Sequence, residues 1–116
     1  MNHKKTYKFG LLAEKITMFF LRLKAYQILA WRYKTNLGEI DIIAKKGRLI
    51  IFVEVKARRR VSLVEEVLRP KQIKRIYSSA EIFIAKNPRF QNYNLRFDFV
   101  EVGRFFTIKH HLNFIS

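Results

Sequence analysis

The 116-residue sequence contains no cysteine. That excludes disulfides and thiolate metal sites, and it fits a reducing compartment. Proline occurs twice and glycine four times, which leaves little room for linkers. No internal repeat or low-complexity segment stands out, so one domain over residues 1–116 is expected. A long apolar run is also missing. Near the N-terminus Glu14, Lys15, Arg22 and Lys24 interrupt the hydrophobic residues, well short of the ~20 a membrane span needs. No small-residue cleavage site follows a clean apolar stretch. The expectation is a soluble, cytoplasmic protein with no membrane partner.

Negative charge is scarce too: 9 Asp and Glu stand against 24 Lys and Arg, for a net charge of +15. A balance this basic implies a polyanionic partner, either nucleic acid or an anionic membrane surface. The arginines at 58, 59 and 60 favour phosphate, whose geometry the guanidinium fork matches. The competing readings are a general lysine bias without a specific partner and a peripheral membrane protein that uses its basic face and first helix. What the chain has in quantity is apolar material, 49% hydrophobic and 15% aromatic, enough to fill a core.

Hydrophobic spacing predicts a helix from about Tyr7 to Lys24, with Phe9, Leu12, Ala13, Ile16, Phe19, Phe20 and Leu23 on its inner face. Glu14 lies beside that stripe. Ala25–Lys34 reads as a strand. Two β-rich runs follow, "GEIDIIAKKG" and "RLIIFVEVKA", with a hairpin signal at Lys46-Gly47. Helical spacing returns from Pro70 to Asn87, where Asn87-Pro88 ends it. "LRFDFVEV" (Leu95–Val102) alternates as a strand, and "RFFTIK" is a candidate final strand after a turn at Gly103. The order α-β-β-β-α-β describes an α/β fold with a mixed sheet and helices against it.

The charges inside the apolar runs carry the chemistry. Residues two apart on a strand share a face, so Glu54 and Lys56 point together, as do Glu39 and Asp41. A hairpin around Lys46-Gly47 brings Asp41 near Glu54, and a one-residue slip would turn one of them to the opposite face. Adjacent carboxylates repel unless neutralised. Lys56 does so in part, and Mg²⁺ or Mn²⁺ does so better, since hard cations favour carboxylate, water and phosphate oxygens. A metal so held polarises a phosphodiester and lowers the pKa of its water, while a lysine stabilises developing charge. The set suits metal-dependent phosphodiester hydrolysis. The bland alternative is solvent-facing charge on an edge strand.

These strings, "GEID" at 38–41 and "FVEVKAR" at 52–58, resemble those of the PD-(D/E)XK nuclease superfamily. More narrowly they resemble the small bacterial YraN-like proteins, endonuclease-like and related to archaeal Holliday-junction resolvases. "GLLAEKITMFFLRLKAYQIL" is similar to the family's first helix with its glutamate, "PKQIKRI" to the basic start of its second helix, and "RFDFVEV" to its late strand. The resemblance covers nearly the whole chain. It implies a restriction-endonuclease-like αβββαβ core. It also implies Asp41 and Glu54 as metal ligands, the Val55 carbonyl as a third, Lys56 as the catalytic lysine and Glu14 as an added acid of the site. Glu39 matches "GEID" as a site or an outer residue. Where the superfamily name has proline before aspartate, this chain has Ile40.

Arg58, Arg59 and Arg60 would contact phosphate beside the metal, or form a solvated basic loop. Lys71, Gln72, Lys74 and Arg75 open the second helix, whose N-terminus also favours phosphate. Gln72 is placed to reach the site, by resemblance to nucleases with a glutamine there. Arg96 and Asp98 share a strand face as a structural ion pair. Adjacent His110 and His111 point apart and do not chelate together. Trp31, Tyr33 and the phenylalanines read as core rather than as base-stacking platforms. The expected function is Mg²⁺- or Mn²⁺-dependent cleavage of DNA, at branched or junction structures, with a homodimer implied by the resemblance. The alternative is a nucleic-acid-binding module of the same fold with weak or no catalytic activity.

Overall fold

A computed structural model describes residues 3–58 and 69–113. Helix α1 spans His3–Leu23, followed by strands β1 (Gln27–Thr35), β2 (Gly38–Lys46) and β3 (Leu49–Ala57). Helix α2 (Pro70–Lys86), β4 (Asn94–Val102) and β5 (Ile108–His111) complete the described chain. The strands form one mixed five-stranded sheet in the order β1-β2-β3-β4-β5. Only β3 and β4 run parallel, and α2 lies between them in the chain. Antiparallel neighbours close with short turns, whereas a parallel pair needs a long crossover. This is an α/β architecture of the restriction-endonuclease-like order, with one further strand.

The two helices cover opposite faces. Ala13, Met18 and Leu21 of α1 pack with Ile42, Ala44, Ile51, Val53, Val100 and Val102. Ala80 and Phe83 of α2 pack with Ile43, Ile50 and Phe52. Ile76 of α2 meets Phe99. Successive strand residues thus alternate between the α1 and α2 sides, and β3, covered on both, reads as an almost unbroken apolar run.

The buried face of α1 differs from the expected one. Ala13, Glu14, Thr17, Met18 and Leu21 are buried, while Leu12, Phe19 and Leu23 of the apolar stripe are exposed. Thr17 satisfies its hydroxyl locally by donating to the Ala13 carbonyl, 2.8 Å away, and so enters the core at little cost. Small and self-satisfied residues let α1 lie close to the sheet, and the bulkier stripe is rotated outward.

Other boundaries moved for local reasons. The hairpin turn is Gly47-Arg48, one residue later than expected, because Lys46 pairs with Leu49. Gly47 takes φ +59, a left-handed conformation glycine enters without penalty. β1 begins at Gln27, because Ala25 is left-handed (φ 71) and ends the helix instead. "RFFTIK" is a turn over Arg104–Phe106 before β5 starts at Ile108. Among the described residues no helix is long and apolar enough to cross a membrane.

Candidate active site

β2 and β3 pair from the turn up to Ile42 opposite Val53. Beyond that pair they part. Gly38, Glu39 and Ile40 stay with β1, while Glu54 to Ala57 stay with β4. Asp41 and Glu54 are the next residues in register, so they face each other where the sheet forks. Splitting a ladder leaves backbone donors unpaired, and a buried unpaired donor is costly. Asp41 resolves this: its Oδ2 accepts the Val55 N–H at 2.8 Å. The fork is therefore held open by one of the two acids that line it.

Glu54 is buried, and its Oε1 accepts from Gln72 Nε2 on α2 at 3.0 Å. Lys56 Nζ lies 3.6 Å from the same oxygen. Burial and the facing Asp41 push the Glu54 carboxyl up to about 8 against the pull of Lys56. Burial also raises Asp41, to about 6, with Glu14 and Glu39 adding to the rise and the Val55 N–H and Lys56 opposing it. At neutral pH the pair holds about one proton. Burial thus disfavours ionisation of both acids together, a condition that a divalent cation between them would relieve by displacing the proton.

Glu14 arrives from α1 on the other side of the sheet end and lines the same cleft. It is tied to β1: Trp31 Nε1 donates to Oε1 at 2.8 Å, and Arg32 donates from Nε to Oε1 at 2.9 Å and from Nη2 to Oε2 at 3.3 Å. Neighbours on a regular strand point to opposite faces. Arg32 escapes that rule by a left-handed φ of 55°, a conformation costing roughly 1–2 kcal/mol. Trp31 is exposed rather than core. Trp31 reads as core from sequence and Arg32 carries no expectation there, although an arginine within the apolar "AWRY" next to a helix with an acid beside its apolar stripe is a readable signal. Among the described residues no three His, Asp or Glu converge closely enough to hold a metal. A cation at the fork would take Asp41 and Glu54, with a carbonyl such as that of Val55, water and phosphate oxygens completing its shell.

The cleft has a volume of about 860 Å³ and is lined by basic residues as well as by the acids. Lys71, Gln72 and Arg75 reach it from α2, and Arg32, Lys34 and Arg69, which sequence reasoning passed over, add to its rim. Lys74 is exposed on α2 but does not line it. Gly38 sets the distance between this wall and the fork. A Cβ there would lie 2.9 Å from the Arg75 Cβ, so only glycine lets β2 approach α2 so closely. Arg58 continues β3, its N–H donating to the Val102 carbonyl at 2.8 Å. Arg59 and Arg60 lie outside the described residues.

Away from the cleft, Arg96 and Asp98 form the expected ion pair at 2.8 Å. Burial pushes the Asp98 carboxyl up, but donors from His110, Arg96 and the Asn113 N–H outweigh it and hold it at about 2. His110 Nε2 lies 2.9 Å from Asp98, and His111 Nε2 lies 3.7 Å from Glu101. The histidines do point apart.

The model of the uncharacterised protein family UPF0102 matches residues 13–102, a span that includes Glu14, Asp41, Glu54 and Lys56. A UPF0102 protein of Rhodopseudomonas palustris (strain BisB5) is 48% identical over 89 residues, 77% of this chain and 68% of its own. One from Parvibaculum lavamentivorans is 42% identical over 94 residues, covering 81% and 71%. One from Chelativorans sp. (strain BNC1) is 39% identical over 102 residues, covering 88% and 82%.

Proposed function

The chain belongs to the uncharacterised protein family UPF0102, and from the site it carries we propose a metal-dependent DNA endonuclease of the PD-(D/E)XK superfamily. The observation that supports this most is the fork. Asp41 and Glu54 face each other there, with Lys56 at 3.6 Å from the glutamate and basic side chains around the rim. A structural ion pair needs one acid and one base. Two buried acids beside one lysine share about a proton at neutral pH, and a divalent cation that displaced it would leave both as ligands.

Mg²⁺ or Mn²⁺ held by Asp41 and Glu54 would supply charge neutralisation at the phosphate and a water of lowered pKa. The chain's own residues do the rest. Asp41 and Glu54 present carboxylate oxygens from two strands fixed by the sheet. Gln72 orients Glu54, and the Val55 amide orients Asp41. Lys56 holds positive charge where the phosphorane develops and orients the attacking water. Arg32, Lys34, Lys71 and Arg75 draw the phosphate backbone into the cleft. The proposed partner is DNA, and the proposed cofactor is Mg²⁺ or Mn²⁺.

Cleavage of supercoiled, single-stranded and four-way DNA with Mn²⁺ tests the reading. Asp41→Asn and Lys56→Ala are expected to lower the rate by about 10²–10³ while leaving DNA affinity within about twofold to threefold. Cutting that persists in both variants would reject the site. Tight binding with no cutting in any metal would make the protein a nucleic-acid-binding module instead.

A further inference from the structure

The turn between β4 and β5 is built against the usual economy of folding. Gly103 N–H donates to the Thr107 carbonyl at 2.8 Å, and Thr107 N–H reaches the Arg104 carbonyl at 3.3 Å, closing a tight loop. At its tip Phe105 has φ 58 and ψ 25, and Phe106 also has φ 58. Two successive bulky residues in the left-handed region are rare, because Cβ crowds the following carbonyl. Such strain persists where burial repays it or where the position has a use. Burial does not repay it: Phe105 is 95% exposed and Phe106 is 54% exposed. Both rings border an open groove of about 570 Å³ with Phe9, Leu12 and Arg104.

The turn sits at the catalytic end of the sheet. It leaves β4 at Val102, which pairs with Ala57 and accepts the Arg58 N–H. Glu54 and Lys56 lie within three residues of that point on β3. We infer that the Phe105–Phe106 turn is a stacking platform for unpaired bases, so the nucleic acids this chain prefers carry single-stranded or unstacked bases beside the backbone that enters the cleft. This deepens the nuclease reading by naming its substrate class, and it rests on that reading only for nucleic-acid binding. Flat apolar rings with Arg104 beside them in the groove and Lys109 on the strand that follows match a polyanion with flat apolar bases. Two copies of a +15 chain repel, and five groove residues fall well short of the ~20–30 a side in a stable protein interface. The turn lies just beyond the residues matched by the family model, so the inference concerns this chain.

Stacking one base on an aromatic ring is worth about 5- to 150-fold in affinity. The full chain is titrated with a labelled single strand, a forked duplex and a blunt duplex, in Ca²⁺ to withhold cleavage. Phe105→Gly and Phe106→Ala are expected to lose at least about fivefold on the first two and less than about twofold on the blunt duplex. Phe105→Trp retains affinity, and 2-aminopurine in the single strand is quenched by wild type but not by Phe105→Gly. Glycine relieves the left-handed strain, so Phe105→Gly keeps or raises the melting temperature and the loss is not one of folding. Equal losses on all three DNAs, or none, would overturn the platform. So would a change in molar mass on substitution, which would mark a dimer face. Wild type binding no nucleic acid overturns both this and the nuclease reading. Base-dependent binding without cleavage leaves the platform standing and removes only the nuclease.

Discussion

Glu54 faces Asp41 across the fork, and burial raises both carboxyls, to about 8 and about 6. A raised folded-state pKa means that the native protein holds protons the unfolded chain has released. The associated stability is full below the unfolded values near 4 and is lost as pH rises through the folded ones. In EDTA the melting temperature is therefore expected to fall between about pH 5 and about pH 8, by roughly 5 °C or more. Glu54→Gln should flatten that fall, and Mn²⁺ should reverse it most strongly at the alkaline end. A melting temperature flat across this range in the metal-free protein would mean that the two acids are not held as described. Asp98 does not confuse the measurement, since its depressed carboxyl titrates only near pH 2. At this scale Asp41, Glu54, Lys56 and the Arg96–Asp98 pair were legible, because strand alternation sets which residues share a face and the hairpin puts Asp41 and Glu54 on neighbouring strands, though their exact register was not. The tie from Trp31 and Arg32 to Glu14 was not. It depends on one left-handed residue and on a contact 17–18 positions apart.

Helix α1 shows why hydrophobic spacing names an element more securely than its face. Phe9, Leu12, Ala13, Ile16, Phe19, Phe20 and Leu23 form the expected stripe, of which Ala13 is buried and Phe20 packs on the core, while Leu12, Phe19 and Leu23 are exposed and the helix buries Glu14, Thr17, Met18 and Leu21 instead. Two solutions were open to the helix, and the sheet selected the one that accepts small residues and gives Glu14 its partners on β1. Leu21→Ala is then expected to cost about 2–5 kcal/mol, and Phe19→Ser no more than about 0.5 kcal/mol, by denaturant unfolding. The opposite ranking would place the stripe inward. The final strand starts later than "RFFTIK" suggests for a related reason. "RFFTIK" has strand-forming residues, but Gly103 and Thr107 close a turn in which a Cβ on residue 103 would meet Thr107 Oγ1 at 2.6 Å.

Over the whole molecule, 24 cations and 9 acids put a positive field around a cleft whose floor is acidic. In the proposed reading that arrangement would draw in a polyanion and keep the floor for a cation. DNA affinity is expected to drop steeply with salt, by about 10³ or more between 50 and 200 mM if six or more phosphates are engaged. Arg75→Ala, on the cleft wall, should reduce the slope of log affinity against log salt by roughly 1, whereas Lys74→Ala, off the wall, should leave it nearly unchanged. Equal effects would show that attraction is diffuse and not organised by the cleft.

Although the register that opposes Asp41 to Glu54 came from the turn at Gly47-Arg48, the sequence by itself determined the α/β class, the element order and the hairpin that puts the two acids on neighbouring strands. These follow from short-range periodicity, which needs only the chain's local geometry. Tertiary structure alone decided where β2 and β3 part, which face of α1 is buried, how Arg32 grips Glu14 and that Phe105 and Phe106 face solvent. Each of those depends on which distant surfaces meet. Packing settles that by excluding volume and satisfying buried polar groups, and neither constraint is written in the spacing of residues along one element.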